Sequence, residues 1–134
     1  MIIREAKARD IDACLEIEAS QMDTTFSEQD YLNSMDNPDV IFLVAGQDDE
    51  VVGYTLGFVV PTKNAEAMIH STMVHKAYSR RGVGSRLVEK FLDVAFGRGV
   101  KKVFAEVEEG PDRFYEKCGF KKVGVWHSMC VENR

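Results

Sequence analysis

Apolar and polar positions along the chain alternate between short strand-like runs and longer helical stripes. Ile2 to Ala6 reads as a first strand. Ile11, Cys14, Leu15 and Met22 recur at helical spacing, which predicts a helix over about 11–22 with Asp10 as its N-cap. Ser27-Glu28-Gln29-Asp30 has the form of a capping box, with Phe26 placed to pack on Tyr31. A second helix over about 27–36 is expected to stop at Asn37-Pro38, because the residue before proline is pushed out of the helical region. Val40 to Ala45 and Val51 to Val60 are rich in β-branched and aromatic residues, and the polar Gln47-Asp48-Asp49-Glu50 between them marks a hairpin.

After a loop over Pro61 to Asn64, Ala67 to Val74 supplies a central strand. From Gly82 the pattern turns helical, with Val83, Leu87, Phe91 and Val94 on one stripe and Val88, Leu92 and Ala95 widening it. Gly97 and Gly99 end that helix. Lys101 to Val107 is a strand in which Val103, Ala105 and Val107 alternate with Lys102, Phe104 and Glu106. Pro111 opens a short helix through Cys118, Gly119 closes it, and Phe120 to Val131 gives one or two final strands. Hairpins bring antiparallel neighbours, whereas strand, helix and strand between 67 and 107 demand a right-handed parallel crossover. The fold class this order implies is α/β, a three-layer domain with a mixed sheet.

Length and composition narrow the picture further. A chain of 134 residues is expected to form one domain, 1–134, large enough to fold unaided. Its formal net charge of -5 argues against a general nucleic-acid binder, which would show an extended basic face. Cys14, Cys118 and Cys130 are odd in number and far apart, which suits reduced thiols and neither a disulfide framework nor a zinc site. Residues 1–20 interleave charges with apolar positions, so no leader and no membrane span is expected, and a cytoplasmic location follows.

The candidate chemistry lies in the stretch from Val74 to Leu87. A strand ends there, a basic turn with two spaced glycines follows, and a helix begins. A helix start leaves backbone N–H groups without intrahelical acceptors and carries the positive end of the macrodipole, so it suits an anion. Gly82 and Gly84 remove side chains that would block close approach, and Arg80, Arg81 and Arg86 concentrate positive charge in an otherwise acidic chain. Exposed arginines at a helix start oppose its dipole, and a bound anion is a reason for them to be there. The turn is not a P-loop, since no GK[ST] follows, and it lacks the third glycine of the dinucleotide fingerprint.

This stretch resembles the acyl-CoA-binding motif of the GNAT superfamily of N-acetyltransferases, Q/R-x-x-G-x-G/A after a strand. Arg80-Arg81-Gly82-Val83-Gly84 fills all but its first position, where this chain has Ser79. A second block, Phe114-Tyr115-Glu116-Lys117-Cys118-Gly119-Phe120, is similar to the family's C-terminal Y-E-K-x-G-F signature. The resemblance implies a mixed, mainly antiparallel sheet flanked by helices and acetyl-CoA as co-substrate, with no metal. It places the backbone of Met73 and Val74 along the pantetheine arm and the N–H groups of Arg81, Gly82, Val83, Gly84 and Ser85 on the pyrophosphate, with Arg80, Arg81 or Arg86 reaching the ribose phosphate.

By the same resemblance Tyr115 is the general acid that protonates the departing thiolate. For the base that frees the amine, His70 stands where relatives often carry a carboxylate, with Glu66 and Glu106 as alternatives. The oxyanion falls to a backbone N–H near Met73 and Val74. Glu108 and Pro111 replace an asparagine and an alanine common in relatives, and Glu106, Glu108 and Glu109 together would favour a cationic amine if they lined the acceptor cleft. The implied function is acetyl transfer from acetyl-CoA to a primary amine by direct attack in a ternary complex. The other classes are an acyl-CoA-binding regulatory module without catalysis and a domain that keeps the fold for protein association. The expected partner is a small-molecule or peptide amine, with no nucleic acid and no membrane, and the resemblance is compatible with a homodimer.

Overall fold

The computed structural model describes residues 1–21, 27–61, 64–106, 114–122 and 128–132. Among them seven strands form one sheet: β1 (Ile2–Glu5), β2 (Val40–Gln47), β3 (Glu50–Val60), β4 (Glu66–Val74), β5 (Lys102–Glu106), β6 (Lys121–Lys122) and β7 (Ser128–Glu132). Their order is β1-β2-β3-β4-β5-β7-β6. Every neighbouring pair is antiparallel except β4 and β5. The helix between those two, α3 (Val83–Gly97), makes the crossover that their parallel pairing requires. The expected three-layer arrangement with a mixed sheet is therefore observed.

Two apolar cores hold the layers together. On one face Val83, Leu87, Val88, Phe91 and Ala95 of α3 pack on Leu43, Val52, Ala67, Ile69 and Val103. On the other, Ile11, Cys14 and Ile17 of α1 (Ile11–Ala19) and Tyr31 of α2 (Glu28–Met35) cover Phe42, Val44, Tyr54 and Leu56. The stripe read for α3 is rotated slightly toward Ala95, while Leu92 and Val94 are half-buried. A short helix α4 (Phe114–Lys117) adds Tyr115 to the α3 side. No helix among the described residues is long and apolar enough to cross a membrane. The three cysteines are free thiols, Cys14 and Cys130 buried and Cys118 half-buried.

Local rules explain most boundaries. The β2–β3 hairpin turns through Asp48 and Asp49, both with positive φ (52° and 66°), the pair of left-handed residues a tight two-residue hairpin needs. Ser27 caps α2 as the sequence suggests, accepting from the Asp30 amide at 3.1 Å while Asp30 accepts from the Ser27 amide at 2.9 Å. Asp10 departs from expectation. It precedes α1 but makes no side-chain cap there. Its carboxylate instead accepts two bonds from the Arg4 guanidinium, at 2.7 and 2.9 Å, and one from the Lys7 amide at 2.7 Å. The forked donor on β1 and the nearby amide satisfy the carboxylate better than a helix amide alone would. That arrangement holds the Asp10 carboxyl below its usual range and ties β1 to the start of α1. α1 ends at Ala19, earlier than expected, and Met22 and Phe26 lie outside the described residues.

Glycines in β3 set how closely α3 approaches. A Cβ at Gly57 would lie 2.3 Å from the Met68 carbonyl oxygen and 2.7 Å from the Phe91 ring, and one at Gly53 would lie 3.2 Å from Leu87 and Val83. Both positions must stay bare for the helix to seat on the sheet. Gly57→Ala is expected to destabilise the fold by about 1–3 kcal/mol through overpacking. Gly97→Ala, where an added Cβ meets nothing within 4 Å, should cost nothing measurable in the same urea titration. Equal losses at the two glycines would contradict the packing account.

Candidate active site

The site grows from the C-terminal half of β4, beyond the last rung that it shares with β5 among the described residues. Their ladder extends from Glu66↔Lys102 to Ile69↔Ala105, and β4 then continues through Val74. At the same level the β3–β4 register shifts, with Gly57 opposite Ile69 and Leu56 opposite Ser71, so His70 is the extra residue of a β-bulge. The His75 amide donates to the Val52 carbonyl at 2.8 Å. Strand alternation then turns the peptide groups of Met73 and Ser71 toward β3, and those of Val74 and Thr72 away from it, to the edge on which β5 pairs lower down. Backbone donors and acceptors on that side call for partners from elsewhere. One is met by Gln21 at the end of α1, whose side chain donates to the Val74 carbonyl at 2.7 Å.

Beyond Val74 the chain makes a 3₁₀ turn over Lys76–Tyr78, capped by His75 Nδ1, which accepts from the Ala77 amide at 3.0 Å. Arg80 (φ 63°) and Gly82 (φ 80°) then swing the backbone into α3. The first intrahelical bond runs from the Arg86 amide to the Gly82 carbonyl at 3.1 Å. The amides of Val83, Gly84 and Ser85 therefore precede any intrahelical acceptor and sit at the positive end of the helix dipole. Arg80, Arg81 and Arg86 are exposed around them, with the Arg81 guanidinium 5.4 Å from the centre of the Tyr78 ring. The two glycines have different reasons. Gly82 needs its left-handed backbone, whereas a Cβ at Gly84 would come within 3.0 Å of the Phe114 ring. Gly84 thus lets α4 dock on α3 as well as keeping the turn open.

Tyr115 and His70 reach β4 from opposite faces. Tyr115 is 8% exposed, and its ring sits between those of Phe114 and Phe120 with centroids 5.0 and 5.3 Å away. Its hydroxyl donates to Thr72 Oγ1 at 3.3 Å, on the segment of β4 beyond Ile69. His70 is exposed and lines a shallow hollow of about 130 Å³ with Tyr31, Ser34, Leu56 and Phe58 on the α2 side. Glu66 lies at the other end of β4, on the rung opposite Lys102. The side chain of Glu106, and Glu108, Glu109 and Pro111, lie outside the described residues.

A buried polar cluster was not foreseen. Glu18 is 3% exposed, and the Tyr31 hydroxyl donates to its carboxylate. The Tyr54 hydroxyl lies 3.1 Å from that of Tyr31, 3.5 Å from Glu18 Oε2 and 3.4 Å from the Met73 sulfur. Burial first, and then the bond to Glu18, push the Tyr31 phenol above its usual range, and burial raises Tyr54 as well. Burial also pushes the neighbouring Cys14 thiol up to about 12. The signal was present in the sequence, because Glu18 falls four residues after Cys14 and seven after Ile11, on the apolar face of α1.

A family model described as the acetyltransferase (GNAT) family matches residues 8–120. The chain is 30% identical over 122 residues to the N-alpha-acetyltransferase RimI of Mycobacterium tuberculosis (strain H37Rv), a match covering 87% of this chain and 75% of that protein. It is 28% identical over 96 residues to the uncharacterized N-acetyltransferase CgeE of Bacillus subtilis (strain 168). That match covers 68% of this chain, which spans 37% of the Bacillus protein's length. In fold it resembles the paia N-acetyltransferase of Thermoplasma acidophilum, solved in complex with coenzyme A, with a TM-score of 0.83, 18% identity and 98% of each chain covered.

The Glu18 cluster anchors α1 and α2 to the sheet beside Met73. Tyr31→Phe removes one buried donor to a carboxylate while keeping the ring, so a loss of about 1–3 kcal/mol is expected in chemical denaturation. Tyr31→Phe at wild-type stability would show that the carboxylate does not depend on that hydroxyl.

Proposed function

We propose that this chain, which belongs to the GNAT family of acetyltransferases, moves an acetyl group from acetyl-CoA to a primary amine by direct attack within a ternary complex. The observation that carries the reading is a track of backbone groups at the end of β4 and the start of α3. It runs from the side-facing peptide groups of Thr72 and Val74 to the amides of Val83, Gly84 and Ser85 at the start of α3. A thioester with a pantetheine arm and a pyrophosphate has amides and an anion in that order. The residues fit it: the strand offers the backbone donors and acceptors of Val74 and Thr72 for the arm, Thr72 taking the part expected of Met73, whose peptide groups turn toward β3. The helix start offers converging N–H groups ringed by Arg80, Arg81 and Arg86. Ser79 costs the site a side-chain contact only, since backbone donors do not depend on residue type.

Each chemical demand then has a group near this track. A backbone N–H on the edge of β4 turned away from β3 receives the charge that develops on the carbonyl oxygen in the tetrahedral intermediate. Tyr115 supplies the proton for the leaving thiolate, its hydroxyl lying beside Thr72 on that segment. His70, at the bulge on the other face, is the base in this reading and takes the proton of the amine. An α-amine, with a pKa of about 7.7–8.0, is roughly a quarter to two-fifths neutral near pH 7.5, whereas a lysine-like amine near 10.4 is only about 0.1% neutral. That difference, and the similarity to a protein named N-alpha-acetyltransferase, make the free N-terminus of a peptide the first acceptor to try.

Two variants test the two ends of the track. Arg86→Glu places a negative charge in the first turn of α3, which suits the helix dipole but opposes phosphates. It should leave thermal stability intact and weaken coenzyme A binding by about tenfold or more, with the difference shrinking as salt rises. Tyr115→Phe keeps the packed ring and should lower kcat by roughly 10²-fold with acetyl-CoA affinity nearly unchanged. Calorimetry and a thiol-release assay read these outcomes. Equal coenzyme A affinity in wild type and Arg86→Glu would remove that arginine from the phosphate site. Binding intact with no transfer to any amine would favour the acyl-CoA-binding module.

A further inference from the structure

The hydroxyl of the proposed acid and two more behind it form a chain whose hydrogens can be assigned by accounting. Thr55 Oγ1 lies 3.2 Å from the Ser71 carbonyl oxygen and 2.9 Å from Thr72 Oγ1. A carbonyl only accepts, and a threonine hydroxyl has one proton, so Thr55 donates to Ser71. Thr72 must then donate to Thr55, and it accepts from Tyr115 at 3.3 Å. The order Tyr115 to Thr72 to Thr55 to the Ser71 carbonyl therefore runs in one direction. Thr55 is fully buried, so water does not compete for its hydroxyl. At 3.3 Å the first bond is longer than the usual 2.7–2.8 Å for O–H···O, so turning the Tyr115 proton toward another acceptor costs little.

We propose that Thr72, backed by Thr55, is a positioning residue for Tyr115, a short relay of hydroxyls that reverses to stabilise the phenolate when Tyr115 gives up its proton. The proposal rests on the reading of Tyr115 as general acid. When the carbon–sulfur bond breaks, its electron pair goes to sulfur, and the sulfur takes the proton from the Tyr115 hydroxyl. The phenolate left behind can only accept. Thr72 turns its proton to the phenolate, and Thr55 turns its proton to Thr72. The Ser71 carbonyl loses a side-chain donor but keeps its place opposite Leu56 in the β3–β4 ladder. The proton that His70 takes from the acceptor nitrogen is released to solvent, and solvent returns one to the phenolate, so the balance is one proton moved from the amine to the thiol. A donor to the phenolate lowers the cost of ionising Tyr115, and hence the barrier to proton delivery.

Thr72→Val keeps the branched shape and deletes the hydroxyl, and Thr72→Ser restores it. With short peptides bearing a free α-amine as the probe acceptors, Thr72→Val should slow thiol release from acetyl-CoA by about tenfold at unchanged acetyl-CoA affinity. Thr72→Ser should recover most of the rate. In a Tyr115→Phe background Thr72→Val should have no further effect. Independently of any acceptor, the tyrosinate absorbance of Tyr115 can be isolated as the difference from the matching Tyr115→Phe protein. Its midpoint should rise by roughly half a pH unit or more in Thr72→Val and return in Thr72→Ser. An unchanged midpoint overturns the relay, as does a rate loss of equal size in both backgrounds. If Tyr115→Phe itself leaves the rate intact, the general-acid reading falls, while the midpoint still reports whether Thr72 supports the phenolate.

Discussion

The end of the β4–β5 ladder at Ile69↔Ala105, the last rung among the described residues, is the constraint from which the site follows. In a sheet interior every backbone group has a neighbour, and a stretch of strand beyond its last rung presents donors and acceptors that must be met by something else. Here the peptide groups of Thr72 and Val74 are turned to that side, and the Gln21 side chain already reaches one of them. The bulge at His70 belongs to the same level: one extra residue in β4 resets which side chains face which layer just beyond the last described rung with β5. Below the bulge Ile69 faces α3, and above it Met73 packs toward α1 and α2.

Holding such a strand in place takes packing on both faces. On one, Gly53 and Gly57 let α3 press close enough for Leu87 and Phe91 to seat, which also fixes where the helix begins and where its first amides point. On the other, the Glu18, Tyr31 and Tyr54 cluster joins α1, α2 and β3 and touches the Met73 sulfur. A buried carboxylate is costly unless it is hydrogen-bonded, so the cluster constrains geometry more than it adds stability. Phe114 against the bare Gly84 links α4 to α3, and through α4 the position of Tyr115 depends on the same helix start.

Element order was legible because it rests on local chemistry. Ser27 with Asp30, the Asp48-Asp49 turn, and the apolar stripe of α3 each follow from side-chain rules that act over a few residues. The glycine and arginine loop and Tyr115 stood out through their resemblance to a family, and the matching family model covers the region that holds both. What the sequence hid depends on contacts between distant segments. Asp10 lies where a helix cap belongs, yet Arg4 claims its carboxylate. Gly84 looked like a residue spared for a phosphate, and the Phe114 ring is a second reason for it. Thr55 and Thr72 are 17 residues apart, and nothing local in either strand announces that their hydroxyls meet.

The central claim is that the segment of β4 beyond Ile69 and the first turn of α3 together hold one ligand along a single track. Amide hydrogen exchange, read residue by residue with and without coenzyme A, tests it most directly. The account requires protection to appear together at Thr72 and Val74 and at Val83, Gly84 and Ser85, with little change at the β2–β3 hairpin. Protection confined to the hairpin or to α2, with those five amides exchanging as before, would contradict it.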